Sequence, residues 1–347
     1  MVGATGNVGT AVMEALSADP AVESLVGLSR RGAGVDVGKV EWRAADVTGD
    51  DLGRHFTGAD AVVHLAWLIQ PSRNETVTWR TNVEGTSRVL AAAAAASVPA
   101  VVIASSVGAY SPGPKDRPVD ESWPTHGVAT SSYSRQKAYV ERLAAFESEH
   151  DDVRVVRLRP ALVLERRAAT EIRRYFLGPF VPDALLNPAH LPLFPDVPGL
   201  TMQFVHAADL AQAFRAAVTL PVRGAFNVAA EPALDTAGMA AALHARTVPL
   251  PAAAARALAA VTWRLRLQPT DPGWLDLGLR SPIMDTGRAR RDLGWSPVHS
   301  AAAALVELLS GAGSGTGEQT APLRPDSPRD RLDEIRTGVG TRDRSDP

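Results

Sequence analysis

The sequence predicts an α/β protein with a doubly wound parallel sheet and a smaller C-terminal region. Through the first half of its 347 residues, short β-branched and apolar runs alternate with helical stretches, as they do in successive β-α-β units. The runs are apolar at consecutive positions, which indicates strands buried on both faces of a sheet. After about Leu164 the alternation ends and proline-rich connections begin. These three observations give the fold class.

The strand-like runs are LVGLSR (25–30), VEWRAAD (ending at Asp46), AVVHLAW (61–67), AVVIASS (100–106) and VRVVRLRPALVL (153–164). Helical stretches lie between them: NVGTAVMEALSAD, an alanine-rich segment from about 74 to 97, and SYSRQKAYVERLAAFESEH. Because crossovers between parallel strands are right-handed, such units build a doubly wound sheet. Two later pieces, MQFVHAADLAQAF and GAFNVAA, indicate a return to that sheet.

The composition excludes several classes of protein. Basic and acidic residues number 36 and 38, so no basic surface indicates nucleic-acid binding. The chain has no cysteine, which rules out disulfides, thiolate catalysis and cysteine-ligated zinc, and we expect no metal site. No signal peptide is visible, and the apolar run from Val89 to Ala104 is too short to span a bilayer. We expect a soluble cytoplasmic protein with a small-molecule substrate and no nucleic-acid or membrane partner; a homodimer stays open.

The chain opens MVGATGNVGTAV, with Gly3, Gly6 and Gly9 three residues apart. In a dinucleotide-binding loop the first glycine permits a tight turn, the second a close approach of backbone to the pyrophosphate, and the third close packing of helix on strand. Val12 and Leu16 follow at helical spacing, so a helix N-terminus would face the phosphates. The pattern predicts a Rossmann-type nucleotide-binding loop; a glycine-rich turn without a ligand is the alternative.

Only Met1 and Val2 precede this loop, although such a loop normally follows a β-strand. In a sheet of order 3-2-1-4-5-6 that strand is central, and its loss would leave unpaired backbone groups that cost about 1–3 kcal/mol each. We therefore expect the first strand to be truncated, with about four to eight further β-branched and apolar residues before Val2 in the native protein. A true start with a stub strand is the alternative.

The end of the second predicted strand carries Ser29, Arg30 and Arg31. An acidic residue at this place would accept hydrogen bonds from the adenosine ribose of NAD. A hydroxyl and two guanidinium groups instead suit a 2′-phosphate, so NADP is favoured over NAD; a solvated arginine loop is the alternative. Asp46, which ends the third strand, is placed either to accept a hydrogen bond from the adenine amino group or to cap a turn.

The segment ATSSYSRQKAYVERL places Tyr133 and Lys137 four residues apart on one face of a predicted helix, with Ser131 and Ser132 as candidate caps. An ammonium group near a phenol favours the phenolate and lowers the phenol pKa, which makes the tyrosine a usable acid and base near neutrality. Ser106 closes AVVIASS at the carboxyl edge of the sheet, where α/β proteins bind ligands. The three residues predict a catalytic site; an ordinary surface pair on a helix is the alternative.

With these motifs in order, the chain resembles the extended short-chain dehydrogenase/reductase superfamily, in its NAD(P)-dependent epimerase/dehydratase branch. The resemblance is carried by GATGNVG (3–9), AADV (44–47), VVHLAW (62–67), TNVEGT (81–86), ASSVGAY (104–110), YSRQK (133–137), RLRP (157–160), FVHAADLA (204–211), GAFNVA (224–229) and MDTGRARRDLGW (284–295).

The resemblance implies roles for individual residues. Tyr133 would be the acid/base, Lys137 would tune it and contact the nicotinamide ribose, and Ser106 would hydrogen-bond the substrate oxygen. The cofactor, NADP or NAD, would contact Gly3, Thr5, Gly6, Asn7, Val8, Gly9, Ser29, Arg30, Asp46, Val47, Leu65, Ala66, Asn82, Tyr133, Lys137 and Pro160.

At two places the sequence differs from motifs of the family, and these differences restrict the reactions that we expect. Val107 and Gly108 follow Ser106, where sugar-nucleotide dehydratases carry an Asp–Glu pair, so dehydration is not expected. Aliphatic residues at 162–164 stand in the region where sugar-nucleotide epimerases carry Asn and then Tyr-Gly-Pro. We expect hydride transfer between NADP(H) and a carbonyl/alcohol pair of a small or apolar substrate. The alternatives are an NAD-dependent nucleotide-sugar 4-epimerase and a regulatory protein that binds NAD(P) without turnover.

The expected organisation is an NAD(P)-binding domain at 1–165, to which residues 203–229 return, and a substrate-binding region at 166–202 and 230–310. From Gly311 onwards the composition turns to Gly, Ser, Thr, Pro, Asp and Arg with almost nothing apolar. Such a segment cannot bury enough apolar surface to order itself, so we expect residues 311–347 to be disordered.

Overall fold

The computed structural model describes residues 1–32, 37–150, 153–182, 186–188, 191–314, 317, 320, 322–325 and 327–341. Its strands are β1 (Leu25–Ser29), β2 (Val40–Ala44), β3 (Val62–His64), β4 (Ala100–Ala104), β5 (Pro118–Val119), β6 (Arg154–Pro160), β7 (Leu162–Leu164), β8 (Leu193–Asp196), β9 (Thr201–Met202), β10 (Phe204–His206), β11 (Gly224–Val228), β12 (Leu234–Asp235), β13 (Arg246–Pro249) and β14 (Ile283–Met284).

Its α-helices are α1 (Asn7–Ser17), α2 (Gly53–Phe56), α3 (Glu75–Trp79), α4 (Gly85–Ala95), α5 (Ser132–His150), α6 (Ala169–Ile172), α7 (Ala207–Thr219), α8 (Thr236–Ala242), α9 (Ala252–Arg264), α10 (Gly273–Arg280), α11 (Gly287–Asp292), α12 (Ala301–Gly313) and α13 (Pro328–Thr337). Short 3-10 segments lie at Val107–Ala109 and Arg166–Ala168, and π-helical turns at Arg80–Glu84 and Arg173–Leu177. Within the described ranges, no helix has both the length and the apolar character needed to cross a bilayer.

One parallel sheet forms the centre of the molecule, in the order β2, β1, Met1–Val2, β3, β4, β6, β11. Val2 pairs with Leu28 of β1 and with His64 of β3. The Val2 N–H donates to the Val63 carbonyl (2.8 Å), and the Leu28 N–H donates to the Met1 carbonyl (2.8 Å). The two N-terminal residues therefore lie at the central position predicted for the first strand, and the doubly wound α/β fold is confirmed.

Helices cover both faces of this sheet because its strands are apolar on both sides. Val12 and Leu16 of α1 and Phe214 of α7 pack on one face, and Val89 of α4 and Val140 of α5 pack on the other. All five side chains are at most 2% exposed. A phenylalanine buried in this way contributes about 3–5 kcal/mol to stability relative to alanine, so the packing of the helices on each face of the sheet stabilises the fold.

The single strand predicted at 153–164 is divided into β6 and β7. Pro160 ends β6 and cannot donate a hydrogen bond to a neighbouring strand. The next N–H, that of Ala161, donates to the Val228 carbonyl of β11 (2.9 Å), and the chain then changes partner, so that β7 pairs with β10. This change of partner takes the chain out of the main sheet and into the smaller region.

Strand pairs outside the main sheet organise the smaller region. β7 pairs with β10, β8 with β13, β9 with β12, and β5 with β14. Leu164, Met239 and Leu308 belong to the core of this region, to which α8 and α12 contribute. The chain returns to the main sheet as β11, which pairs with β6.

The described part of residues 311–347 contains more regular structure than its composition predicts. α13 begins after Ser327, whose hydroxyl accepts a hydrogen bond from the Asp330 N–H (3.2 Å). Arg173 forms an ion pair with Glu334 (2.9 Å), and Leu323 is fully buried. The prediction of disorder is wrong for these residues, because a helix cap, a partly buried ion pair and one buried leucine supply contacts that an average composition does not reveal.

Candidate active site

The glycine loop lies between α1 and the segment that leaves β3. Gly3 has a φ angle of +81°, and a Cβ atom there would lie 2.5 Å from the Ala66 nitrogen. A Cβ atom on Gly9 would lie 2.7 Å from the carbonyl carbon of Ala4, whereas one on Gly6 would meet nothing nearer than 4.0 Å. Gly3 and Gly9 therefore permit close packing of backbone on backbone, and Gly6 leaves open space beside the loop.

The first turn of α1 borders the same open space and has the chemistry of an anion site. Gly6 is the N-cap, no side chain caps the helix, and no acidic residue lies in the first turn. The N–H groups at a helix start lack intrahelical partners and carry partial positive charge. The buried Oδ1 of Asn7 has no hydrogen-bond partner among the described residues, so it is free to accept one from a ligand. These features fit the phosphates and hydroxyls of a dinucleotide.

Tyr133 lies in the first turn of α5, where the Ser131 hydroxyl accepts a backbone N–H (3.3 Å) as the predicted cap. The phenol ring contacts two tryptophans, with ring centroids 5.8 Å apart for Trp67 and 4.7 Å apart for Trp274. Gly108 makes room for the ring, since a Cβ atom there would lie 2.8 Å from Cε1 of Tyr133. Residues distant in sequence thus enclose the phenol.

The prediction that Lys137 lowers the pKa of Tyr133 is wrong for this geometry. Burial raises the pKa of the Tyr133 phenol to about 12, and a hydrogen bond with Ser106 opposes the rise only in part. The Lys137 ammonium lies 5.8 Å from the Tyr133 ring centroid, because it donates to the Ala104 carbonyl (2.8 Å) and lies over the Trp67 ring (3.5 Å). Burial also lowers the pKa of Lys137 to about 7. The phenol therefore keeps its proton at neutral pH.

A buried polar network supports the helix that carries Tyr133. The Glu141 carboxylate on α5 accepts hydrogen bonds from Nε and Nη2 of Arg159 on β6 (both 2.8 Å) and from the Ser105 hydroxyl (2.5 Å). Burial alone would raise the pKa of Glu141, but the hydrogen bonds and charge of Arg159 keep it below its usual value. Because Ser105 precedes Ser106, the network fixes α5 against the segment that follows β4 and carries that serine.

A cavity of about 570 Å³ contains the glycine loop, the three predicted catalytic residues and a largely apolar wall. Ser106, Tyr133 and Lys137 all line it. The apolar wall includes Trp67, Ile69, Ile172, Phe176, Trp274 and Leu277. The structure therefore brings the predicted catalytic group and the predicted cofactor loop together at one site.

The residues predicted to contact the cofactor fall into two groups. The cavity is lined by Gly3, Gly6, Asn7, Val8, Gly9, Leu65, Tyr133, Lys137 and Pro160. The others, which lie outside that lining, are Thr5, Ser29, Arg30, Asp46, Val47, Ala66 and Asn82. Ser29 is buried at the end of β1 and Arg30 is exposed beside it. The Asp46 carboxylate accepts hydrogen bonds from the Thr48 N–H (2.8 Å) and hydroxyl (2.7 Å), which is the turn-capping role.

Asn82 contacts the chain around the cavity rather than the cavity itself. Its Oδ1 accepts the Leu68 N–H (2.7 Å), and its Nδ2 donates to the Leu68 carbonyl (2.8 Å) and to Oε1 of Gln136 (2.7 Å). Asn82 lies in the π-helical turn between α3 and α4, where one continuous helix was predicted. We infer a positioning role for Asn82, because it anchors the segment after β3 that contributes Trp67 and Ile69 to the cavity wall.

A parallel, doubly wound sheet with a glycine loop at the start of its first helix is a Rossmann-type fold. Residues 1–229 match the family model of the NAD-dependent epimerase/dehydratase family. The chain therefore belongs to that family.

Two curated relatives match parts of the chain. Sterol-4-alpha-carboxylate 3-dehydrogenase, decarboxylating, of Candida albicans is 31% identical over 129 residues, which are 36% of this chain and 37% of that protein. The uncharacterized protein y4nG of Sinorhizobium fredii is 25% identical over 268 residues, 74% of this chain and 63% of that protein. The chain thus spans less than two thirds of the length of either relative.

Solved structures share the fold. The UDP-glucose 4-epimerase of Thermus thermophilus in complex with NAD superposes with a TM-score of 0.66 at 19% identity, over 90% of this chain and 97% of that one.

Sequence reasoning missed the residues of the apolar cavity wall that enclose Tyr133. Trp274 comes from α10, and Phe176 packs on it with ring centroids 4.9 Å apart. Lys115 also lines the cavity. The sequence around Trp274 and Phe176 carries no motif that indicates this role. Gly108, two residues after Ser106, was the available sequence signal, because a glycine there permits another side chain to pack closely on that segment.

Proposed function

We propose that the protein is an NAD(P)-dependent oxidoreductase that interconverts an apolar carbonyl compound and its alcohol. One observation carries the proposal: the glycine loop, the hydroxyls of Ser106 and Tyr133, and an apolar wall belong to a single cavity. A site of this kind places a hydride carrier, a proton donor and an apolar substrate side by side.

The residues of the chain have distinct roles in this reaction. The cofactor, when bound, supplies or accepts a hydride. Tyr133, whose phenol is protonated at neutral pH, donates its proton to the substrate oxygen during carbonyl reduction and becomes a phenolate. In the reverse direction, alcohol oxidation, it is this phenolate form that takes the alcohol proton. Ser106, which shares a hydrogen bond with Tyr133, orients the same oxygen. Lys137, whose Nζ lies 5.8 Å from the Tyr133 ring centroid, contacts the nicotinamide ribose of the bound cofactor.

The cavity wall favours an apolar substrate over a nucleotide sugar. Ile172, Phe176 and Leu277 offer no hydrogen bonds to sugar hydroxyls, and unpaired polar groups buried against such a wall cost free energy. The partial relative from Candida albicans is by its name a dehydrogenase of a sterol, which supports an apolar alcohol or ketone. The alternative is an NAD-dependent nucleotide-sugar 4-epimerase, the activity that names the solved relative.

NADP is the cofactor that we propose as preferred, with NAD as the alternative. Arg30 and Arg31 follow β1 and are exposed. Neither guanidinium forms an ion pair or hydrogen bond with another described residue, so both are available to a 2′-phosphate.

Cofactor consumption with a panel of alicyclic, steroid and aliphatic ketones tests the proposal. Tyr133→Phe should lower turnover by at least about 100-fold, with NADPH affinity changed by no more than about threefold, because the phenol acts on the substrate proton. Tyr139→Phe is the matched control, since Tyr139 lies on the same helix with 38% of its surface exposed.

Other outcomes would contradict the proposal. Conversion of a UDP-sugar to its 4-epimer without net cofactor change would identify the epimerase. Tight NAD(P) binding without turnover of any ketone, alcohol or UDP-sugar would identify the regulatory protein. Full turnover in Tyr133→Phe would refute the acid/base role.

A further inference from the structure

Two of the three lysines in the chain line the cavity. Lys137 lies beside Tyr133, where the proposed reaction accounts for it. Lys115 comes from the segment between β4 and β5, and the proposed reaction gives it no role. Its neighbours Thr201 of β9 and Gly278 of α10 also line the cavity, so Lys115 belongs to the substrate side of the site.

The Lys115 ammonium is held in place by the cavity wall and keeps one donor unused. Its Nζ donates to the Thr201 carbonyl (2.7 Å) and to the Gly278 carbonyl (2.8 Å). An ammonium group has three N–H donors, and these two carbonyls are its only hydrogen-bond partners in the described part of the chain. No carboxylate in that part forms an ion pair with it.

Without a ligand, the positive charge of Lys115 costs free energy because the ammonium group is partly removed from water. Burial lowers the pKa of Lys115 to about 8, so the group remains largely cationic at pH 7. Lys115 is partly buried, and a partly buried cation gains from an anion that offers a charge-assisted hydrogen bond.

The other polar side chains near this wall already have partners. Glu171 accepts the Tyr175 hydroxyl (2.7 Å). Gln203 donates to the Met284 carbonyl (3.1 Å) and accepts the Met284 N–H (2.7 Å). Lys115 is therefore the polar group of this wall that has both a net positive charge and a donor left over.

We propose that Lys115 is an anion-binding subsite of the substrate cavity. The substrate then has an apolar body, a carbonyl or hydroxyl group that reaches Tyr133, and, apart from that reacting group, an anionic group such as a carboxylate that pairs with Lys115. The reacting end of this substrate rests on the proposed function, whereas the anionic end rests on Lys115 alone.

A purely structural role for Lys115 is the competing explanation, and the chain offers a matched control for it. Lys39 also donates to two backbone carbonyls, those of Asp19 (3.0 Å) and Val22 (2.9 Å). Lys39 is exposed and does not line the cavity. Lys39→Met therefore removes two hydrogen bonds from a lysine to backbone carbonyls, as Lys115→Met does, but leaves the proposed anion subsite intact.

Binding of decanoate and 1-decanol to the cofactor-saturated protein tests the subsite, because the two probes share one apolar chain and differ in charge. Tryptophan fluorescence reports binding without any need for turnover. We expect the parent and Lys39→Met to bind decanoate at least about tenfold more tightly than decanol, and Lys115→Met to bind the two within about twofold, because the charge pair is lost. Lys115→Arg should keep the preference for decanoate.

Equal affinities for the two probes in the parent, or a decanoate preference that persists in Lys115→Met, would overturn the subsite. If Lys115→Met does not fold, Lys115→Gln replaces it, since the amide can still donate to the carbonyls but carries no charge. A decanoate preference that depends on Lys115, in a protein that turns over no ketone or alcohol, would support the subsite and contradict the proposed function. Ketone turnover without that preference would support the proposed function and contradict the subsite.

Discussion

Gly6 is the position at which one added methyl group should separate cofactor binding from folding. Its φ of −77° and ψ of 177° suit alanine, and a Cβ atom there would meet nothing nearer than 4.0 Å. Because alanine is a poorer N-cap than glycine, we expect Gly6→Ala to lower the free energy of unfolding by about 1 kcal/mol or less. The methyl group would occupy the space proposed for the pyrophosphate, so NADPH affinity should fall at least about tenfold, or about 1.4 kcal/mol.

Gly9→Ala should have the opposite effect. A Cβ atom there would lie 2.7 Å from the Ala4 carbonyl carbon, which is about 0.7 Å closer than the 3.4 Å at which ordinary contact begins. The overlapping atoms are backbone and cannot rotate away, so the loop must shift. We expect the free energy of unfolding to fall by about 1–3 kcal/mol.

Urea unfolding and NADPH titration, both followed by tryptophan fluorescence, measure the two effects on the same protein. Gly53→Ala at the start of α2 is the control, because a Cβ atom there meets its nearest neighbour at 3.4 Å, an ordinary contact. If Gly6→Ala binds NADPH as tightly as the parent does, the phosphates do not lie against Gly6 and the reasoning is refuted.

Two further predictions concern charge. Glu141→Gln should lower the free energy of unfolding by about 3–5 kcal/mol, because Arg159 is left buried without its partner, whereas the exposed Glu84→Gln should change it by less than about 0.5 kcal/mol in the same urea titration. Burial would raise the pKa of Glu141, but Arg159 keeps the folded-state pKa below its usual value. The stabilisation by the Glu141–Arg159 pair is therefore present at neutral pH and is lost as the pH falls through that lowered pKa. A stability difference between the parent and Glu141→Gln that stays constant into acid would contradict this. Replacement of Arg30 and Arg31 together by alanine should remove the preference for NADPH over NADH in fluorescence titrations, and equal affinities in the parent would show that both arginines are only loop surface.

The sequence by itself determined the features that depend on spacing along the chain. Alternating apolar runs and helical stretches predicted the doubly wound sheet, because periodicity reports which faces a segment can bury. The spacing of Gly3, Gly6 and Gly9 predicted a loop before a helix, and the spacing of Tyr133 and Lys137 placed both on one face of another. These patterns are local, so a single sequence is enough to read them.

Only the tertiary structure decided what surrounds those residues. The pKa of Tyr133 depends on burial beneath Trp67 and Trp274, which a four-residue spacing cannot report. The Lys115 ammonium is held in position by hydrogen bonds to the carbonyls of Thr201 and Gly278, which belong to two separate elements. Desolvation and hydrogen-bond partners are set by residues that meet only when the chain has folded. The sequence therefore predicted which side chains are the candidate catalytic groups, and the fold determined their pKa values and their surroundings.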